Sequence, residues 1–224
     1  ARATVILGWT FQEEATPTTY SSLPAVNLTS GDFTLIGGTS STSNAGNANS
    51  AAESQGLTGA DIAGRALQLA SFPAQSTGSG TAGVQFNMST LGYENIQLSF
   101  DAFRNDGLSR YFELQYTADS TSDTPLWLTY DVIDWGYSDE PANRWEASPF
   151  VFDLSSVNVA NNNALFAVRL VAVFSPYEFV DGTGVQAANT AYQRVRQWSI
   201  GNYAPGSTVR IDNFYITGTA IPEP

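Results

Sequence analysis

The side chains best suited to chemistry lie between residues 125 and 146. This segment contains Trp127, Tyr130, Trp135, Tyr137 and Trp145 among Asp131, Asp134, Asp139, Glu140 and Glu146. Because aromatic faces stack on sugar rings and carboxylates accept hydrogen bonds from hydroxyl groups, the segment predicts a carbohydrate-binding platform. Its candidate contacts are Trp135, Tyr137, Trp145, Tyr130 and Asp134. The alternative is that Trp127 packs in the core while the other residues form an ordinary loop or the edge of a subunit contact.

The residue types that are missing limit the catalytic chemistry of the chain. The sequence has no histidine and no cysteine, and all nine of its basic residues are arginine. Catalytic triads, histidine acid–base steps, thiolate chemistry and ordinary transition-metal sites are therefore excluded. A carboxylate pair for glycoside hydrolysis remains open in the segment 125–146, although acidic loops of acidic proteins are usually only solvated. The composition thus favours a protein that is not an enzyme.

The charge of the chain argues against two classes of partner. The formal net charge is −12, and lysine is absent. Nucleic acid and anionic membranes both require a basic surface, which this composition does not supply. We therefore expect neither of them as a partner.

Calcium is the one cofactor that the residue types suggest. This ion takes carboxylate and carbonyl oxygens as ligands. The first and last strands of jelly-roll folds commonly lie side by side, which would bring Glu13 or Glu14 close to Asp212. These three residues are the candidate calcium ligands, and solvated surface acids are the alternative.

Short segments of alternating apolar and polar residues recur along the chain and are bounded by small polar residues. We count about ten such segments, with no amphipathic helix beyond a turn at 155–160. One face of the first strand is formed by Val5, Leu7, Trp9 and Phe11. The segment 164–174 is apolar on both faces, as a central strand would be. The pattern predicts an all-β fold, a single antiparallel, jelly-roll-like β-sandwich over residues 1–220.

Two further segments carry structural predictions. Residues 37–59 consist of small polar residues and are predicted to form a long loop within the domain. A late strand is expected near 192–200.

The last strand changes phase near its centre. Val209 and Ile211 are in phase with each other, whereas Phe214 and Ile216 follow one residue out of phase. Because a one-residue slip turns side chains to the opposite face, we expect a β-bulge at Asp212–Asn213.

A series of short segments along the chain has a recognisable order. It comprises residues 6–11, 84–96, 112–117, 152–157 and 209–214, followed by Pro222-Glu223-Pro224. In this order the segments resemble the exported bacterial proteins that carry a PEP-CTERM sorting signal. The resemblance implies a jelly-roll-like body, export by a Gram-negative bacterium, and sorting to the cell surface or extracellular matrix. Residues 221–224 are then the remnant of the sorting motif, and the mature form has no membrane contact. The membrane helix and basic tail of the family signal are not part of this sequence.

These observations lead to three functional hypotheses. The first is a non-catalytic structural protein of the surface or matrix, including a self-assembling filament subunit whose partners are copies of itself. The alternative is a carbohydrate-binding module that recognises an extracellular polysaccharide through the aromatic residues of 125–146. A polysaccharide-active enzyme is the third.

Overall fold

The computed structural model describes residues 2–11, 26–46, 64–136, 143–196 and 201–223 of the chain. In these ranges the backbone forms fifteen β-strands, numbered in chain order, and two short 3₁₀ helices. Thirteen of the strands belong to two sheets, one of eight strands and one of five, in which every pairing is antiparallel. The predicted all-β antiparallel sandwich is therefore confirmed.

The eight-stranded sheet is built around the last strand of the chain. Its strands are β1 (Thr4–Trp9), β2 (Val26–Asn27), β4 (Ser40–Ala45), β5 (Arg65–Ala70), β7 (Tyr93–Arg104), β10 (Arg144–Trp145), β11 (Phe150–Asp153) and β15 (Val209–Ala220). β15 pairs with β7 along one edge and with β5 and then β1 along the other. β10 and β11 pair with the far edge of β7. The expected adjacency of the first and last strands is confirmed.

The second sheet has the strand order β3, β6, β12, β8, β9. Its strands are β3 (Gly31–Ile36), β6 (Gly83–Met88), β8 (Tyr111–Thr117), β9 (Leu128–Asp134) and β12 (Ala167–Val173). β13 (Phe179–Asp181) and β14 (Gly184–Gln186) form a separate hairpin, and the 3₁₀ helices span Leu154–Ser156 and Asn158–Ala160. Within the described ranges, no helix is long and apolar enough to cross a membrane.

Aromatic side chains form much of the contact between the two sheets. Phe86 of β6 stacks on Phe214 of β15 with 3.7 Å between ring centroids. The ring of Trp9 in β1 contacts both of them. Each of the three is at most 1% exposed, so each contributes nearly its full apolar area to the hydrophobic effect. Truncation of such a buried aromatic ring to alanine typically costs about 3–5 kcal/mol.

Two detailed strand predictions are confirmed. β12 lies in the centre of its sheet, and six of its seven residues are buried. In β15 the register against β7 shifts between Asp212 and Tyr215, so two residues oppose one. Asn213 occupies the left-handed region with φ 49°, which asparagine tolerates better than most residues. The bulge returns Phe214 and Ile216 to the core.

Three strand predictions are wrong in the described part of the chain. Residues 40–45 lie in the predicted loop 37–59 but form β4, which pairs with β5. Polar side-chain bonds replace apolar alternation here, since Gln68 bonds both Thr42 and Asn44. In β1 the register shifts between Val5 and Leu7, and Ile6 is buried along with Leu7 and Trp9, so the buried side chains do not simply alternate. In the described part of the predicted strand 192–200, Arg194 forms an isolated bridge with Ser109 and 192–196 form no strand. Residues 47–59 of the predicted loop and 197–200 of this predicted strand lie outside the described ranges.

Candidate functional site

The outer face of the five-stranded sheet carries an unusual set of polar side chains. In β6, Val84, Phe86 and Met88 point into the core, so the period of two turns Gln85 and Asn87 outward. The same alternation on the other strands leaves a surface of amides, carboxylates and one guanidinium. We call this surface the amide face. It consists of Asp32, Thr34, Gln85, Asn87, Glu113, Gln115, Thr129 and Arg169.

Strand register aligns one residue from each strand into a row. Thr34 pairs with Gln85, Gln85 with Arg169, Arg169 with Gln115, and Gln115 with Thr129. Neighbouring strands are about 4.8 Å apart, so the row is about 19 Å long. Such a length accommodates several sugar rings of an extended polysaccharide.

One half of the amide face is held by a chain of hydrogen bonds. The Nε of Arg169 donates to Oε1 of Gln115 at 2.7 Å. The Nε2 of Gln115 donates to Oε2 of Glu113 at 2.5 Å, and the hydroxyl of Thr129 donates to the same oxygen at 2.8 Å. These bonds fix the side-chain orientations before a ligand arrives, which lowers the entropic cost of binding.

The other half of the amide face has a similar chain. The Nε2 of Gln85 donates to Oδ1 of Asn87, and the Nδ2 of Asn87 donates to Oδ1 of Asp32, both at 2.7 Å. A groove of about 530 Å³ lies along these side chains, and its lining also includes Ser120 and Leu165. The groove has the volume of a small-ligand site, with polar and apolar residues in its lining.

Trp127 provides an aromatic ring beside the row. It lies just before β9, and the Arg169 guanidinium sits 4.2 Å from its ring centroid. This distance is within the range of a cation–π interaction. Burial lowers the pKa of Arg169, and the nearby charge of Glu113 partly offsets that effect. Arg169 therefore holds the half-buried indole against the amide face.

Of the predicted platform, Trp135 does not fit a ligand-stacking role. It is 5% exposed, and its ring packs edge-on against Phe112 and Phe150 at 5.7 Å and 5.2 Å. A ring enclosed on this scale has no free face for a sugar. Trp135 is a core residue, whereas Trp127, for which core packing was the alternative interpretation, lies on the surface of the sheet.

The remaining platform residues are distributed over separate places. Asp134 forms a bidentate ion pair with Arg110, with both hydrogen bonds at 2.6 Å. Burial of Asp134 opposes its ionisation, but the bonds from Arg110 favour the charged form, and the pKa of Asp134 is lowered. The hydroxyl of Tyr130 donates to the Asp153 carbonyl at 2.5 Å, and burial raises its pKa. Trp145 lies in the other sheet, and Tyr137 is outside the described ranges.

Tyr130 contributes to a second concavity, which we call the edge cleft. It has a volume of about 730 Å³ and lies beside β9 and the 3₁₀ helices. Its apolar lining comprises Tyr116, Leu126, Leu128, Tyr130, Val157 and Val159. The edge cleft also has polar lining residues, including Asp119, Ser122 and Thr124, and it shares Thr129 with the amide face.

The calcium prediction concerns the bulge of β15. Asp212 is fully buried and lies opposite Asp101 of β7. The backbone N–H of Asn213 donates to Asp212, and its side-chain amide donates to Asp101 at 2.9 Å. Glu13 and Glu14 lie outside the described ranges. Among the described residues no group of three or more acidic side chains could hold a metal, so calcium binding stays a prediction.

Comparisons with known proteins identify structures of similar overall shape. No protein-family model matches the chain, and a search of curated proteins finds no match. The chain is similar to a CBM22-1 xylan-binding domain of Paenibacillus barcinonensis Xyn10C, with 10% identity, a TM-score of 0.46, and coverage of 98% of this chain and 97% of that domain. It is also similar to the K1 cleaved adhesin domain of Lys-gingipain from Porphyromonas gingivalis W83, with 8% identity, a TM-score of 0.45, and coverage of 98% and 100%.

Most residues of the amide face were missed by sequence reasoning. The signal that could have found them is the set of polar residues that lie between the apolar positions of each strand. Gln85 and Asn87, and likewise Glu113 and Gln115, occupy the outward positions of two neighbouring apolar strands. Outward polar residues on two apolar strands therefore indicate a polar face of the sheet.

Proposed function

We propose that the chain is a non-catalytic polysaccharide-binding module whose ligand lies across the amide face. The observation that carries the proposal is the set of hydrogen-bonded amides and carboxylates beside an aromatic ring on the outer face of the sheet. The module thus corresponds to the carbohydrate-binding hypothesis, with the site moved from Trp135 and Trp145 to Trp127 and the outer residues of the sheet.

The chemistry of the face suits a carbohydrate. A sugar ring presents hydroxyl groups, which donate and accept hydrogen bonds, around an apolar body. Gln85, Asn87 and Gln115 each carry both a donor and an acceptor group in fixed positions. Trp127 supplies an aromatic ring beside Arg169, the middle residue of the row. Polar groups that fix orientation beside an aromatic surface are the usual composition of a small-ligand site.

The carboxylates of the amide face are too far apart for glycoside hydrolysis. Asp32 lies on β3 and Glu113 on β8, with β6 and β12 between them. Three strand spacings correspond to about 14 Å between the backbones. Inverting glycosidases place their two carboxyl groups about 6.5–9.5 Å apart, and retaining ones about 5–5.5 Å. Both carboxylates also accept hydrogen bonds from neighbours, which supports a binding role.

Titration calorimetry with xylan, mixed-linkage β-glucan and mannan tests this proposal. We expect at least one of these polysaccharides to bind, and Trp127→Ala to weaken its binding at least about tenfold, or about 1.4 kcal/mol. Trp145→Ala is the matched control, because Trp145 lies in the other sheet against Phe103. Unchanged affinity in Trp127→Ala, or loss of affinity only in the control, would contradict the proposal.

We also propose that the module acts outside the cell, at the surface or in the matrix, as the resemblance to PEP-CTERM proteins implies. Pro222 and Glu223 are exposed beyond the end of β15. Self-assembly into a filament stays a prediction. β15 is paired on both edges within its own chain, so donation of this strand to a neighbour would require two existing pairings to be exchanged.

A further inference from the structure

We infer that the amide face selects an uncharged glycan and discriminates against polysaccharides that carry carboxylate or sulfate groups. This inference rests on the proposed function and specifies the class of its ligand. It follows from the charges on the face, from the hydrogen-bonding groups that remain for a ligand, and from the field of the whole chain.

The cation of the amide face is already engaged. The Nε of Arg169 donates a hydrogen bond to Gln115, and the guanidinium lies against the ring of Trp127. Glu113 is close enough to oppose the lowering of its pKa. An anionic ligand group at this guanidinium would have to compete with the nearby charge of Glu113, and drawing the guanidinium away would cost the bond to Gln115 and the contact with Trp127.

The neighbouring arginine at the corner of the sheet is engaged as well. Arg110 forms two parallel hydrogen bonds to Asp134 on β9. Bidentate pairs of this kind are the stronger form of charge-assisted hydrogen bond. Replacing Asp134 by a carboxylate of the ligand as the partner of Arg110 would therefore add little binding free energy.

The groups that remain for a ligand include carboxylate oxygens, which only accept hydrogen bonds. Asp32 and Glu113 contribute these oxygens. The side-chain nitrogens of Gln85, Asn87 and Gln115 each use one hydrogen within the chain and keep one. A hydroxyl group can donate to the carboxylate oxygens and accept from the amides, whereas an ionised carboxylate or sulfate can only accept. The carboxylates of the face thus favour a hydroxyl-rich, uncharged ligand.

Electrostatics acts in the same direction. Asp32 is the one charged residue among the described residues that line the groove. The chain as a whole has a formal net charge of −12. A negative field slows the approach of anionic ligands, and this effect weakens as salt is added.

Matched pairs of oligosaccharides test the inference. The hexamers of β-1,4-glucose and β-1,4-glucuronate, and those of β-1,4-mannose and β-1,4-mannuronate, differ within each pair only at C6. We expect the neutral member of at least one pair to bind at least about tenfold more tightly in 20 mM NaCl, with a smaller ratio in 200 mM NaCl. Asp32→Asn is expected to raise the affinity for the acidic member about threefold, the effect of removing one charge about 6 Å away in water.

Glu94→Gln is the control for this variant, because it makes the same charge change on an exposed residue of the other sheet. It should leave the ratio of neutral to acidic affinity unchanged. Equal or tighter binding of the acidic hexamers, lost in Trp127→Ala, would overturn the inference while the proposed function stands. Failure of every hexamer, neutral or acidic, and of every polysaccharide to bind would overturn the proposed function and the inference with it.

Discussion

Tyr192 and Tyr203 are neighbouring buried phenols whose replacement by phenylalanine is expected to change stability in opposite directions. Their ring centroids are 4.6 Å apart, and the two residues are 0% and 5% exposed. The hydroxyl of Tyr203 donates to the carbonyl of Pro73 at 2.9 Å. The buried hydroxyl of Tyr192 has no hydrogen-bond partner among the described residues.

The magnitudes follow from these two environments. Tyr192→Phe removes a buried polar group without breaking a bond, and we expect it to raise the free energy of unfolding by about 1 kcal/mol. Tyr203→Phe leaves the Pro73 carbonyl without its hydrogen-bond donor. We expect this substitution to lower the free energy of unfolding by about 1 kcal/mol. For a domain of this size, each change corresponds to about 2–4 °C in Tm.

Alkaline pH is expected to widen the difference in free energy of unfolding between Tyr192→Phe and the wild type. Burial raises the pKa of Tyr192 to about 12, and burial together with the charge of Tyr192 also raises the pKa of Tyr203. Above about pH 10 the unfolded phenols ionise while the native ones stay protonated. The wild type therefore loses stability as the pH rises from about 10 to 12, and Tyr192→Phe loses less.

Urea unfolding at pH 7 and at pH 10.5, followed by circular dichroism, measures these changes. The two variants serve as controls for each other, because each removes one hydroxyl from the same cluster. Destabilisation of both variants to the same extent at pH 7 would refute the assignment of an unpartnered hydroxyl to Tyr192. An equal pH dependence in Tyr192→Phe and wild type would refute the linkage.

Two further predictions concern the core and the hairpin of β13 and β14. Phe86→Ala should lower the free energy of unfolding by about 3–5 kcal/mol, measured in urea; a loss below about 1 kcal/mol would contradict its place between the sheets. Burial of Asp181 opposes its ionisation, but bonds from Thr183 and Gln186 lower its pKa. Stability linked to Asp181 is thus present above about pH 4 and lost as the pH falls further; Asp181→Asn should flatten the acid limb of a Tm-against-pH curve, and an unchanged limb would contradict this.

The central strands and the bulge of β15 could be predicted because buried positions are occupied by apolar residues, and their spacing can be seen in the sequence. β12 is apolar on both faces, and the phase change after Ile211 has one economical explanation. Strand β4 could not be predicted in the same way. Its serine, threonine and asparagine residues bury no apolar face, and their pairing depends on hydrogen bonds to Gln68, which is distant in sequence.

The different environments of Trp127, on the surface of the sheet, and Trp135, in the core, were also hard to predict. Trp127, Thr129, Ile133 and Trp135 all have odd numbers, so uniform alternation would place them on one face. The register of β9 against β8 shifts between Thr129 and Asp131, which leaves Tyr130 as an extra residue. Thr129 consequently bonds Glu113 on the amide face, while Ile133 and Trp135 are in the core. A single sequence carries no signal of such a bulge.

The most direct test of a ligand on the amide face is an NMR titration of the ¹⁵N-labelled protein with the neutral hexasaccharide that binds most tightly. We predict that the side-chain amide signals of Gln85, Asn87 and Gln115 and the indole N–H signal of Trp127 shift together and saturate with one dissociation constant. Shifts confined to the edge cleft, at Leu128 and Val159, with the amide-face signals unchanged, would contradict the account.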